Sequence, residues 1–345
     1  MKIAELTAIG PAEQVVHCVE VPDIGAPGPD EVAVDMLACP INPADILQIE
    51  GGYATRPITP CRIGAEGVGR VRAVGREVSG IAVSDLVINL ARDNWVAAQI
   101  LPESSVIKLP AGIDVQQAAM LKVNAGTAAC MLSDFVDLEP SDWVIQNAAN
   151  SGVGADVIRL ARRAGYKTVN IVRRDSAVDP LRALGGDVVL VEGPDLPARV
   201  ASAISDATGD TGGDIGEDTS GAVPRLALDA VAGSGVVQLA DCLADGGVVV
   251  NYGLLSGKPC QITADQLIFR DIKLVGFWRG KSLQTQTYAE ISALYDDLAK
   301  CTLDGTLAVE VEATYPLSRI SEALAHAKRE GRSGKVLLLP NESSS

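Results

Sequence analysis

The chain has 345 residues, 47% hydrophobic and 21% charged, enough for two domains with cores of their own. Its formal net charge of −15 argues against a nucleic-acid partner, which needs a basic face, and no apolar run reaches the length that spans a bilayer. Seven scattered cysteines without a Cys-x-x-Cys point to reduced thiols, and two histidines leave little for a catalytic zinc or a Ser-His-Asp triad.

The first residues, Met1-Lys-Ile-Ala-Glu5, lack a signal-peptide pattern, so a cytoplasmic protein is expected. Alternation predicts strands over Val15–Val21 and Glu31–Leu37, separated by the turn-rich stretch 23–30. His17 falls in the first of these and His326 on a late helix, so both are expected to be structural or surface residues. Asn42 and Pro43 can open a short helix that Gly51-Gly52 would end. Residues 61–90 return to β character with frequent glycine, the pattern of a compact and strongly curved β domain. Helical patterns follow at 117–121 and 127–135.

Asp142 to Val157 reads as a strand, a tight turn and the start of a helix. Val144 and Ile145 suit a buried parallel strand. Gly152 and Gly154 are expected to let the chain turn sharply and let a ligand approach it. Val157, Ile158, Leu160, Ala161 and Ala164 then recur at helical spacing. A helix N-terminus aimed at Asn150, Ser151, Gly152, Val153 and Gly154 would suit a pyrophosphate. The three glycine positions of the dinucleotide fingerprint hold Ala149, Ser151 and Gly154, a degenerate match that packing alone could also produce. The next strand, Thr168 to Val172, ends in Arg173 and Arg174. In an NAD-binding fold an acidic residue about 20 positions on holds the ribose 2′-hydroxyl. Here two guanidiniums stand in that place and could hold a 2′-phosphate, which favours NADPH; two solvated arginines are the plainer reading.

Candidate strands at 143–148, 167–173, 187–192, 226–231, 247–252 and 272–278 alternate with helical patterns, the signature of a doubly wound parallel sheet. Ser205–Pro224, rich in Gly, Asp and Thr, is expected to be a long solvated loop. A helix at 286–300 precedes β-like sequence at 307–315, a helix at 320–328 and a last strand at 335–339. The expected architecture is an α/β chain: a Rossmann domain at 119–306 inserted in a curved β-rich domain made of 1–118 and 307–345.

The stretches Ile41-Asn-Pro-Ala-Asp-Ile46 with Gly52-Tyr53, Gly64-Ala-Glu-Gly-Val-Gly69 and Lys122-Val-Asn-Ala-Gly-Thr127 carry a resemblance. Gln146-Asn-Ala-Ala-Asn-Ser-Gly-Val-Gly154, Asn170-Ile-Val-Arg173 and Gly276-Phe-Trp278 add to it. Across about residues 1–340 the chain resembles the zinc-independent medium-chain dehydrogenase/reductases, specifically the 2-enoyl thioester reductases. Zinc alcohol dehydrogenases place a cysteine three residues before the Asp matching Asp45 and a histidine before the Glu matching Glu66. Asn42 and Ala65 stand there instead.

The resemblance implies a GroES-like catalytic domain, NADPH as cofactor, an enoyl-CoA or enoyl-acyl carrier protein as substrate, and a homodimer joined through the 272–278 strand. It implies hydride transfer to Cβ of the enoyl thioester and protonation at Cα, with Tyr53 as the proton donor. Asn124 matches a residue beside the nicotinamide, where its amide could orient the cofactor carboxamide or Tyr53; capping a helix is the rival role. Trp278 matches a wall of the acyl pocket, with a core or interface role as the alternative. Tyr252, Gly253 and Phe277 follow strands at the carboxyl edge of the sheet, where cofactor contacts are expected. No basic stripe to receive an acidic carrier protein is evident, though Lys122, Arg270, Arg279 and Lys281 could cluster. A quinone or enone reductase of the same superfamily is the second reading, and an NADPH-binding protein without catalysis the third.

Overall fold

The computed structural model describes residues 1–208, 223–329 and 331–342. Two compact units emerge, Met1–Val123 with Gln286–Ser345, and Asn124–Thr285. The sequence reading placed the second border at 306/307. It falls earlier because helix Tyr288–Leu303 groups with the first unit. There Tyr288 Oη donates to the Val106 carbonyl and Tyr295 Oη to the Lys122 carbonyl, each at 3.0 Å.

The first unit is built on a mixed sheet with the order Val311–Pro316, Lys335–Leu339, Glu31–Pro40, Val68–Val74, Leu86–Asn89, Val106–Lys108; Ala98–Pro102 also pairs with Glu31–Pro40. Residues of the C-terminal stretch thus pair directly with the N-terminal strand, Leu338 opposite Cys39. Register shifts between Ala33/Val34 and Met36/Ala38 bend the long strand where it meets Val68–Val74. A second, antiparallel sheet has the order Val16–Glu20, Lys2–Leu6, Cys61–Arg62. Leu6, Met36 and Trp95 are completely buried in this unit's core.

The second unit holds six parallel strands in the order Val188–Val191, Lys167–Val172, Trp143–Gln146, Leu226–Asp229, Val248–Asn251, Lys273–Gly276. Numbered along the chain this is 3-2-1-4-5-6, the doubly wound order. Trp143–Gln146 and Leu226–Asp229 are buried at every position, as strands covered on both faces must be. Lys273–Gly276 pairs only with Val248–Asn251 among the described residues, which leaves one edge open. The loop expected from Ser205 does not begin there. Helix Leu196–Thr208 continues through it, buries Val200 and Ile204, and closes with Thr208 Oγ1 bonded to the Ile204 carbonyl. Residues 209–222 of that expected loop lie outside the described residues.

Candidate active site

Helix Pro43–Ile49 begins the site in the first unit. Asp45, three residues into it, accepts the Asn42 N–H at 2.9 Å, which fixes the first turn, and Gly51 ends the helix region at φ +81°. Tyr53 follows at the half-buried start of the next loop. The Arg92 guanidinium lies over its ring, 5.8 Å from the centroid.

Behind this loop is a buried polar network. Glu66, fully buried, accepts from Asn42 Nδ2 and from the Val123 N–H, both at 2.8 Å. Asn42 Oδ1 accepts from Lys335 Nζ at 2.6 Å. Lys122, 5% exposed, donates to the Ala65 and Ala91 carbonyls at 2.6 Å each. Burial pushes the Glu66 carboxyl up, while Lys335, Asn42, the Val123 N–H and Lys122 pull it back. The positions that carry metal ligands in zinc enzymes are therefore occupied by an amide locked to a carboxylate and an ammonium, and by an alanine.

Lys122, Val123 and Asn124 lie in a π turn, Leu121–Ala125, that runs into helix Gly126–Ser133. Such turns widen a helix locally and recur at functional sites. Asn124 is buried within this helical run, and among the described residues its amide makes no hydrogen bond, so it does not cap the helix.

In the second unit the sharp bend comes at Ala148, φ +47°, and not at the glycines. Gly152 and Gly154 instead lie in the first turn of helix Gly152–Ala164. Ser151 caps this helix by accepting the Gly154 N–H at 3.1 Å. Gly154 serves close packing: a Cβ there would sit 2.6 Å from the Ala149 carbonyl oxygen. Below the turn, buried Gln146 donates to the Gly154 carbonyl at 2.9 Å and to Asn170 Oδ1 at 2.8 Å.

Asn150 and Ser151 line this turn, and Arg173 and Arg174 are exposed just past the adjacent strand. Tyr252 and Gly253 follow strand Val248–Asn251, and Phe277 and Trp278 follow Lys273–Gly276. All of them stand at the carboxyl ends of the strands, where a doubly wound sheet binds ligands. The Tyr252 hydroxyl is buried with no hydrogen bond of good geometry, its neighbour the Ser151 side chain; burial raises its pKa. Phe277 meets Phe135 edge to face, with ring centroids 5.8 Å apart, and Trp278 is 39% exposed. A capped thirteen-residue helix aimed at the turn, an orphaned hydroxyl beside it and two exposed guanidiniums fit a phosphorylated dinucleotide.

The sequence reading missed Asp229. Fully buried at the end of its strand, it accepts from Asn147 Nδ2, from Asn251 Nδ2 at 2.6 Å and from the Ala232 N–H at 3.0 Å. This carboxylate holds Ala232 and Gly233 in consecutive left-handed conformations at the point where the strand order reverses. Three separate strands build the cluster, and no local pattern announces it. Three of the four candidate basic residues are otherwise engaged, Lys122 as above, Arg270 with Asp241 and Asp245, and Arg279 buried and donating to Ser282 Oγ, while Lys281 is exposed.

Residues 28–110 match the alcohol dehydrogenase GroES-like domain, and residues 152–297 match the zinc-binding dehydrogenase family. The mitochondrial enoyl-[acyl-carrier-protein] reductase of Dictyostelium discoideum is 35% identical over 315 residues, 89% of this chain and 86% of that protein. The chain belongs to the enoyl reductases of the medium-chain dehydrogenase/reductase family. A solved complex of the enoyl reductase Etr1p with NADP and crotonyl-CoA superposes with a TM-score of 0.83 at 26% identity, covering 98% of this chain and 99% of the other. The mitochondrial 2-enoyl thioester reductase Etr1p/Etr2p heterodimer from Candida tropicalis gives 0.82 at 26% identity, with the same coverage.

Proposed function

We propose that the protein reduces the 2,3-double bond of trans-2-enoyl thioesters, carried on CoA or acyl carrier protein, with NADPH as reductant. The observation that carries this reading is Tyr53. It stands in the loop after helix Pro43–Ile49, beside a guanidinium, in a unit where the positions of zinc ligands in zinc enzymes hold Asn42 and Ala65. Bound NADPH supplies a hydride to Cβ of the substrate. The negative charge that then gathers on the thioester oxygen calls for an oriented donor, and Cα calls for a proton. A phenol stays protonated at neutral pH and gives one directed hydrogen bond, so Tyr53 suits the task.

Asn150 to Gly154 and the helix N-terminus behind them hold the pyrophosphate, and Arg173 and Arg174 hold the 2′-phosphate. Asn124, with its amide unengaged, orients the carboxamide. Tyr252, Gly253 and Phe277 bound the cofactor cleft, and Trp278 walls the acyl chain. The reaction uses no zinc in this reading, since Asn42 already serves Glu66 and Lys335.

The open edge at Lys273–Gly276, with Ile268 and Phe269 69% and 78% exposed just before it, supports a homodimer joined there. Sedimentation at a single chain mass of 35.8 kDa would refute it. Seven cysteines outside any disulfide, four of them buried, support a reducing compartment, and we place the enzyme in the cytosol, a location cell fractionation checks.

The deciding assay follows NADPH consumption with crotonyl-CoA, a longer enoyl-CoA and a simple quinone side by side. Turnover on the thioesters is expected. Turnover on the quinone alone would sink the proposal.

A further inference from the structure

Arg92 sits in the turn between strands Leu86–Asn89 and Ala98–Pro102, and that turn is itself held in place. The Ala91 N–H donates to Asn89 Oδ1 at 2.8 Å, and the Ala91 carbonyl accepts from Lys122 Nζ and from Asn94 Nδ2. From there the guanidinium reaches three groups. It donates to Gln48 Oε1, lies 3.8 Å from Asp45 Oδ1, and covers the Tyr53 ring. Asp45 and Gln48 are three residues apart on one short helix and so share a face.

Asp45 is an unusual anchor. Its carboxylate is 1% exposed and accepts two backbone N–H groups, from Asn42 and Ala65. Burial pushes its pKa up, while those N–H groups, Arg92 and Lys335 draw it back. A buried carboxylate in this state keeps a cation close, and Arg92 is the one that can also face the phenol. A guanidinium fits both demands at once. Its edge meets the carboxylate and the amide, and its flat face meets the ring.

We propose that Arg92 is a positioning residue for Tyr53. Anchored by Asp45 and Gln48, it fixes the plane of the phenol ring and sets a positive charge against it during proton donation. In that step the Tyr53 O–H bond breaks and its electron pair stays on Oη. The Cα–H bond forms, and solvent water afterwards returns a proton to the phenolate. The proposal rests on the assignment of Tyr53 as proton donor.

A double-mutant cycle separates the two. Tyr53→Phe should lower kcat with crotonyl-CoA by about a hundredfold and leave NADPH affinity intact. Arg92→Met should lower kcat by about tenfold with little change in KM. In the Tyr53→Phe background the same Arg92→Met change should cost less than about twofold, because a group acting through Tyr53 has nothing left to act on. An equal loss in both backgrounds overturns the proposal while Tyr53 keeps its role. No loss from Arg92→Met in the parent overturns it as well. If Tyr53→Phe leaves turnover untouched, the Tyr53 assignment falls and takes this proposal with it. Should Arg92→Met fail to fold, Arg92→Lys retains a counter-charge for Asp45 and serves in the same cycle. It should bind NADPH normally and lose about threefold in kcat, again only when Tyr53 is present. Full turnover by Arg92→Lys overturns the proposal.

Discussion

Both oxygens of Glu66 face donors, Asn42 Nδ2 on one side and the Val123 N–H on the other. Glu66→Gln keeps the shape but turns one oxygen into an amino group, so one donor must point at another. Flipping Asn42 does not relieve this, because its Nδ2 would then meet the Lys335 ammonium that now donates to its oxygen. The variant should lose about 1–3 kcal/mol of stability, read from urea unfolding. Because the Val123 peptide leads straight into Asn124, turnover should fall as well. Unchanged stability and turnover would show that the carboxylate is not a fixed acceptor. Glu66 was visible in the sequence only as a neighbour of a missing metal ligand. Its partners lie 24 and 57 residues away, and the lysine that holds Asn42 lies 293 residues from that amide, a relation that local spacing does not encode.

The strand–turn–helix of residues 143–164 was legible because its signals are local. Apolar runs marked Trp143–Gln146 and the 3.6-residue stripe marked Gly152–Ala164. What the pattern misplaced was the bend. The sequence offers two glycines for the turn, yet the chain turns left-handed at Ala148, between backbone hydrogen bonds from Asn147 to Leu228 and from Ala149 to Ile171 that local sequence does not encode. Gly154 matters for a different reason, the approach of the helix to the Ala149 backbone. Gly154→Ala should therefore push the helix start away from the turn. We expect NADPH affinity to fall roughly tenfold, about 1.4 kcal/mol, in a fluorescence titration. Wild-type affinity would mean that the turn relaxes without moving its N–H groups. The helix at 288–303 shows the opposite limit. Its amphipathic pattern was clear, but a stripe does not say which unit it joins, and here the helix groups with the first.

At the scale of the molecule, the cofactor unit interrupts a sheet that is finished only when the chain returns at Val311–Pro316 and Lys335–Leu339. The β-like sequence at the C-terminal end made this return readable, but not the clamp that secures it. Glu312 accepts the Ser333 and Gly334 N–H groups at 2.8 and 3.1 Å, and His326 Nε2 lies 2.8 Å from its other oxygen. The His326 Nδ1 in turn meets Tyr315 Oη at 3.0 Å. Glu312 thus ties the turn before the last strand to both elements beside it. The His326 hydrogen bond first, and the backbone N–H groups after it, hold its carboxyl down to about 2 from an ordinary 4.5. A carboxylate depressed on folding contributes stability that is present above its unfolded value and lost as pH falls through the folded one. Glu312→Gln should consequently unfold at lower urea than the parent at neutral pH. The gap should begin to close below about pH 4.5 and vanish near pH 2, as the parent takes up the proton that the variant never had. A gap that stays constant across that range would mean that Glu312 holds the C-terminal turn by shape alone, and that its charge is no part of how the interrupted sheet is closed.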